Sequence, residues 1–198
     1  MRSAKFPSVR SHALCVASGR SAILAFVLIA VGKMCTAEDG RSGAESARVK
    51  AKAFLSVKKL PAGGECEILV LVNIQNGWHI NSHSTEKEWQ IPTELTVTSK
   101  FGTKLARVSY PKGRLARVPG SQEPLPVYER QATIRGVLAI PREAAGRTEE
   151  FRIQLRYQAC NDRECEQPKL YKLAGKVAIA GDGEPIEEAN ANLFPKSR

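Results

Sequence analysis

Residues 151–159 alternate without a fault: Phe151, Ile153, Leu155, Tyr157 and Ala159 are apolar, and Arg152, Gln154, Arg156 and Gln158 between them are polar. A repeat of two matches a β-strand, whose successive side chains point to opposite faces, whereas a helix places its apolar residues every three to four positions. The stretch is therefore predicted to be a strand with one face on a core, and Cys160, next in the alternation, is predicted to face outward. The same period recurs at Val49–Leu55, Cys66–Ile74, Thr93–Thr98, Lys104–Tyr110, Ala132–Ile140 and Lys172–Ala180, with Gly- and Pro-bearing connections such as 61–64 and 141–146 between them. No long segment has helical periodicity. About seven short strands separated by turn signals predict an all-β chain, an immunoglobulin-like antiparallel β-sandwich, with a small barrel as the alternative.

Residues 1–37 do not share this pattern. Arg2, Lys5, Arg10 and Arg20 precede the apolar run 21–31, and no acidic residue occurs before Glu38. The run is shorter than the roughly 20 residues a helix needs to cross a hydrocarbon core, and Cys35, Thr36 and Ala37 put small residues where a signal peptidase cuts. A signal peptide over 1–37, cleaved after Ala37, is predicted, and with it export. The rivals are an uncleaved anchor and lipid attachment at Cys35, which Lys33 disfavours. Residues 38–46 read as a flexible lead, 47–181 as the β-sandwich domain, and 182–198 as a polar tail with only Ile186, Leu193 and Phe194 to dock. A chain of 198 residues with 42% hydrophobic content has room for one domain with an ordinary core. Cleavage removes five basic residues and no acidic one, lowering the formal charge from +10 to +5. The remaining Lys and Arg alternate with Asp and Glu instead of forming a basic stripe, so no nucleic acid is expected as a partner.

Cys15 and Cys35 leave with the leader; Cys66, Cys160 and Cys165 stay. Cys160 and Cys165 bracket Asn161 and Asp162, turn-forming types that can bring the two thiols within disulfide range. A ring this small stabilises by about 2 kcal/mol, against about 4.7 kcal/mol for a ring of about 100 residues. Asp162, Glu164 and Glu166 outnumber Arg163, and if exposed near the sulfurs they disfavour thiolates, which makes a disulfide slow to open and relatively reducing. Spacing alone leaves three readings open: a structural hairpin-tip disulfide, a redox pair, and metal ligation that would draw on Cys66, His79 and His83. Cys66 shares a face with the apolar residues of its strand and reads as a buried inert thiol. His79 and His83 read as surface or loop histidines, so no metal ligand and no cofactor is assigned. No general base is evident; Asp162 and Glu164 are near in sequence, and Tyr157 and Tyr128 are candidate lining residues.

Two stretches are more specific. Residues Gly77–Asn81 leading to Ile91–Leu95, and Tyr157–Cys165 with Pro168 close behind, resemble the N-terminal periplasmic domain of the thiol:disulfide interchange protein DsbD. Tyr110-Pro111 and Val127–Glu129 lie between them, as in that family, and the resemblance covers roughly residues 47–181. It implies an immunoglobulin-like periplasmic domain with protein-disulfide reductase activity, in which Cys160 and Cys165 are the redox pair. Cys165 is then the attacking thiol and Cys160 the resolving one. The implied partners are a thioredoxin-like electron donor protein, a membrane electron-transfer protein supplied by another chain, and periplasmic disulfide substrates, among them isomerases and cytochrome-maturation proteins. These 198 residues hold neither a multi-helix hydrophobic region nor a thioredoxin module, so the donors are expected to be separate. Family members shield the disulfide with an aromatic residue on a cap loop; the corresponding stretch here, Val118–Glu129, has no Phe. Leu125 is the candidate substitute, and absence of a shield is the alternative.

Overall fold

The computed structural model describes residues 48–85 and 87–195. The expected leader over 1–37 and lead over 38–46 lie outside the described residues. The strands run β1 (Val49–Leu55), β2 (Glu65–Ile74), β3 (His79–Asn81), β4 (Glu94–Ser99), β5 (Lys104–Ser109), β6 (Arg114–Ala116), β7 (Leu125–Glu129), β8 (Gln131–Ala139), β9 (Thr148–Tyr157), β10 (Ala159–Cys160) and β11 (Lys169–Ala178). One 3-10 turn, Arg142–Ala144, links β8 to β9. Each stretch predicted from alternation overlaps a strand, with ends that differ by up to three residues. The short strands β3, β6, β7 and β10 were not predicted, because two to five residues hold too few alternations to register as a period.

All strand pairings within the three sheets are antiparallel. The sheet β1-β2-β8-β5 packs across the core on the sheet β11-β9-β4, and a third sheet, β10-β3-β7-β6, carries the candidate site. The core joins Ile68, Val70 and Val72 of β2 and Ile134 and Leu138 of β8 to Leu95 of β4 and Phe151, Ile153 and Leu155 of β9. The chain is thus an immunoglobulin-like antiparallel β-sandwich, and the period-two face of β9 is the face that the core buries.

Two features hold the sandwich in register. Gly136 on β8 has no room for a Cβ, which would lie 2.7 Å from Leu105 Cδ1 and 3.1 Å from Ile68 Cγ2; Leu105 lies beside a register shift of β5. Glu149 is fully buried on β9 and accepts hydrogen bonds from the Thr103 hydroxyl at 2.7 Å and the backbone N–H groups of Lys100, Phe101 and Glu150 at 2.8, 2.9 and 3.1 Å. It ties the β4–β5 turn to the start of β9.

The tail docks in an extended form. The N–H of Lys58 donates to the carbonyl of Glu187, that of Ala189 to Ser56, and the Asn190 amide to Leu55. Phe194 is buried, Ile186 remains 38% exposed, and the guanidinium of Arg135 bonds the Leu193 carbonyl at 3.0 Å.

Candidate functional site: a half-covered disulfide

The chain leaves one sheet for another at Gln158. β9 ends at Tyr157, and β10 pairs with β3 so that Ala159 stands opposite Ile80 and Cys160 opposite His79. A tight turn follows. The Asn161 side chain accepts from the N–H groups of Arg163 and Glu164 at 2.8 and 2.9 Å, and its own N–H donates to the Glu164 carbonyl at 2.9 Å. The Glu166 N–H then donates to the Ala159 carbonyl at 2.8 Å. This is the local chemistry that Asn favours in turns, and it sets Cys165 against Cys160. The two form a disulfide with an S–S distance of 2.09 Å.

The two sulfur-bearing residues differ in environment. Cys160 is fully buried, and Cys165 is exposed. The outward placement expected for Cys160 is therefore corrected. It does lie on the opposite face from Ala159, but that face is not solvent. Val118, Leu125 and Val127 cover it in a small second cluster, with Ala116 packed against them. Leu125 and Val127 come from β7, and Val118 lies just beyond β6.

The other candidates fall in different places. Tyr157 and Tyr128 belong to the main core, on the face away from Cys160. The Tyr128 hydroxyl accepts from the His83 N–H at 3.1 Å and donates to the Pro111 carbonyl at 3.0 Å. Tyr110 accepts from the Leu95 N–H at 2.9 Å and stacks on His83, ring centroids 3.8 Å apart. The motif residues Tyr110, Pro111 and Tyr128 thus brace the loop after β3. Asp162 and Glu164 are exposed on the disulfide turn. Burial would raise the pKa of Glu166, but Lys169 at 2.6 Å and Arg48 at 3.3 Å hold its carboxyl below the ordinary range. Its charge is compensated, so of the three carboxylates only Asp162 and Glu164 stand against Arg163.

His79 is also corrected. It is neither a surface nor a loop residue but sits in β3, 4% exposed, with Cys160 across one ladder and Glu129 of β7 across the other. Its Nε2 has no hydrogen-bond partner among the described residues. The one signal for this in the sequence was its place between Trp78 and Ile80, both buried, in a strand too short to stand out. Cys66 is a buried free thiol in the main core, and burial pushes its pKa up to about 12. His83 is exposed. Among the described residues no group of three or more His, Cys, Asp or Glu side chains is placed to hold a metal ion.

A disulfide with one sulfur-bearing residue open and the other enclosed by an apolar cover is the arrangement on which comparison with known proteins bears. The family model for the thiol:disulfide interchange protein DsbD, N-terminal, matches residues 48–173. The chain belongs to the DsbD N-terminal family. The match spans the strands from β1 into β11 and includes both cysteines of the disulfide. The chain is similar in fold to the N-terminal periplasmic domain of ScsB from Proteus mirabilis, at 13% identity and a TM-score of 0.50, over 77% of this chain and 53% of that one. It thus spans about half the length of that solved chain. A DUF4466 family protein from Parabacteroides merdae is similar at 16% identity and a TM-score of 0.36, over 66% of this chain and 44% of that one. No curated protein matches. As a DsbD N-terminal domain, the chain is a domain of the thiol–disulfide exchange type, and its cysteine pair is formed.

Proposed function

We propose that the protein is an exported thiol–disulfide relay domain of the periplasm, which takes electrons from a thioredoxin-like donor and passes them to disulfide-bearing partners through Cys160 and Cys165. The donor is in turn fed by a membrane electron-transfer protein, and the mature chain begins at Glu38 after loss of residues 1–37. The observation that carries this reading is the asymmetry of the pair: Cys165 is exposed while Cys160 is fully buried. Thiol–disulfide exchange needs an in-line approach to one sulfur and a second thiol held back to resolve the mixed disulfide. Cys165 is the sulfur a partner can reach, and Cys160 is the resolving thiol. The cover of Val118, Leu125 and Val127 acts as the shield, with Leu125 in place of an aromatic residue.

Equilibration of the pair with a dithiol buffer tests this. A potential between about −180 and −270 mV, within the span of known exchangers, supports a relay, whereas resistance below about −300 mV makes the disulfide a structural staple. The order of attack is checked by trapping: Cys160→Ala accumulates a mixed disulfide with a thioredoxin-like protein, and Cys165→Ala does not. Equal trapping by both variants refutes the assignment.

A further inference from the structure

We propose that His79 is the proton acceptor for the Cys160 thiol when that thiol resolves the mixed disulfide, an inference that rests on the relay reading above. His79 and Cys160 are directly paired across the β3–β10 ladder, and side chains at such positions share a face with Cβ atoms about 4.5–5.5 Å apart. Both residues are buried, at 4% and 0% exposure. The imidazole Nε2 is enclosed and has no hydrogen-bond partner among the described residues. A buried polar atom left unpaired costs free energy, and such atoms recur where chemistry needs them.

The chemistry supplies the need. Cys160 is shut off from water by Val118, Leu125 and Val127, so its proton cannot pass directly to solvent, and a thiol is a poor nucleophile until that proton is gone. Burial lowers the His79 pKa, opposed by the carboxylates of Glu129 on β7 and Asp162 on the disulfide turn. Arg114 of β6 lies 3.8 Å from Glu129 and draws on the same charge. The net effect favours the neutral ring, the state in which it can accept a proton.

The Cys165 thiolate attacks one sulfur of a partner disulfide, that bond breaks, and the first partner thiolate leaves. Cys160 passes its proton to His79 and its sulfur attacks Cys165 Sγ. The mixed disulfide breaks, with its electron pair leaving on the second partner sulfur, and the imidazolium passes its proton to that thiolate. Two cysteine thiols are oxidised to one disulfide, and one partner disulfide is reduced to two thiols.

The test uses the reduced protein mixed rapidly with a small chromogenic aromatic disulfide, whose coloured thiolate is released once on attack by Cys165 and once on resolution by Cys160. In the wild type the second phase rises through the imidazole range and levels off by about pH 7.5. In His79→Gln and His79→Asn, each checked by thermal unfolding, it slows at least about ten-fold at pH 7 and keeps rising through the thiol range, while the first phase changes less than about two-fold. A second phase unaltered in both variants, or both phases slowed alike, overturns the role of His79. If neither variant folds, the wild-type profile decides, and a second phase that climbs steadily to pH 9 or beyond without levelling off overturns the proposal. Release of a single equivalent by the wild type defeats the relay reading itself, which is a different result from two equivalents released without regard to His79.

Discussion

Leu125 and Cys160 are packed together in a cluster separate from the core of the sandwich, and both are completely buried. They reach this contact from positions far apart in the chain, one on β7 and one on β10, and the contact closes the inner side of a disulfide whose outer cysteine is open. Truncation to Leu125→Ala removes the largest side chain of that cover. The expected cost is about 2–5 kcal/mol in denaturant unfolding, the usual range for a buried leucine. Reduction of the disulfide by dithiothreitol should also accelerate, because a small thiol then reaches a site it could not enter. A stability loss with an unchanged reduction rate would show that Leu125 serves packing alone.

Glu149 gives a pH dependence with a definite sign. Burial would raise its pKa, but the Thr103 hydroxyl and the N–H groups of Phe101, Glu150 and Lys100 stabilise the carboxylate and bring it below the ordinary value. A depressed folded-state pKa contributes stability that is present above the unfolded value, about 4.3 for Glu. That stability is lost as pH falls through the lower folded value. Wild-type stability should therefore fall on acidification below about pH 4.5 more steeply than that of Glu149→Gln. The Gln variant should itself be destabilised by about 1–3 kcal/mol at pH 7, since it turns a group that only accepts towards donors into one that also donates. Chemical denaturation at pH 3.5 and pH 7 checks both statements.

Cys66 separates reactive from inert thiols. Burial, with a smaller contribution from Glu67, raises its pKa to about 12, so almost no thiolate exists at neutral pH. After mild reduction of the native protein, a maleimide should label the exposed Cys165 and leave Cys66 untouched up to pH 8, and unfolding should open Cys66 to the label. Native labelling of Cys66, located by peptide mass spectrometry, would contradict its burial.

Much of the fold was legible in the sequence. Strict alternation in β9 marks which side of that strand is apolar, and the hydrophobic effect then leaves few ways to place that side. The disulfide turn was legible as well, because Asn161 makes its hydrogen bonds within three residues of itself, and local chemistry needs no knowledge of the remaining chain.

Tertiary structure alone decided what surrounds the pair. Alternation assigned Cys160 to the face opposite Ala159, but whether that face meets water depends on β7 and the segment before it, which approach from more than 30 residues away in sequence. The same is true of His79, whose strand is three residues long and gains its identity only by pairing with β7 and β10. Tyr157 and Tyr128 are close to the disulfide in sequence or in motif, yet the pleat turns both into the main core. Alternation along one strand specifies two faces; only the packing of other strands determines which of them is a surface.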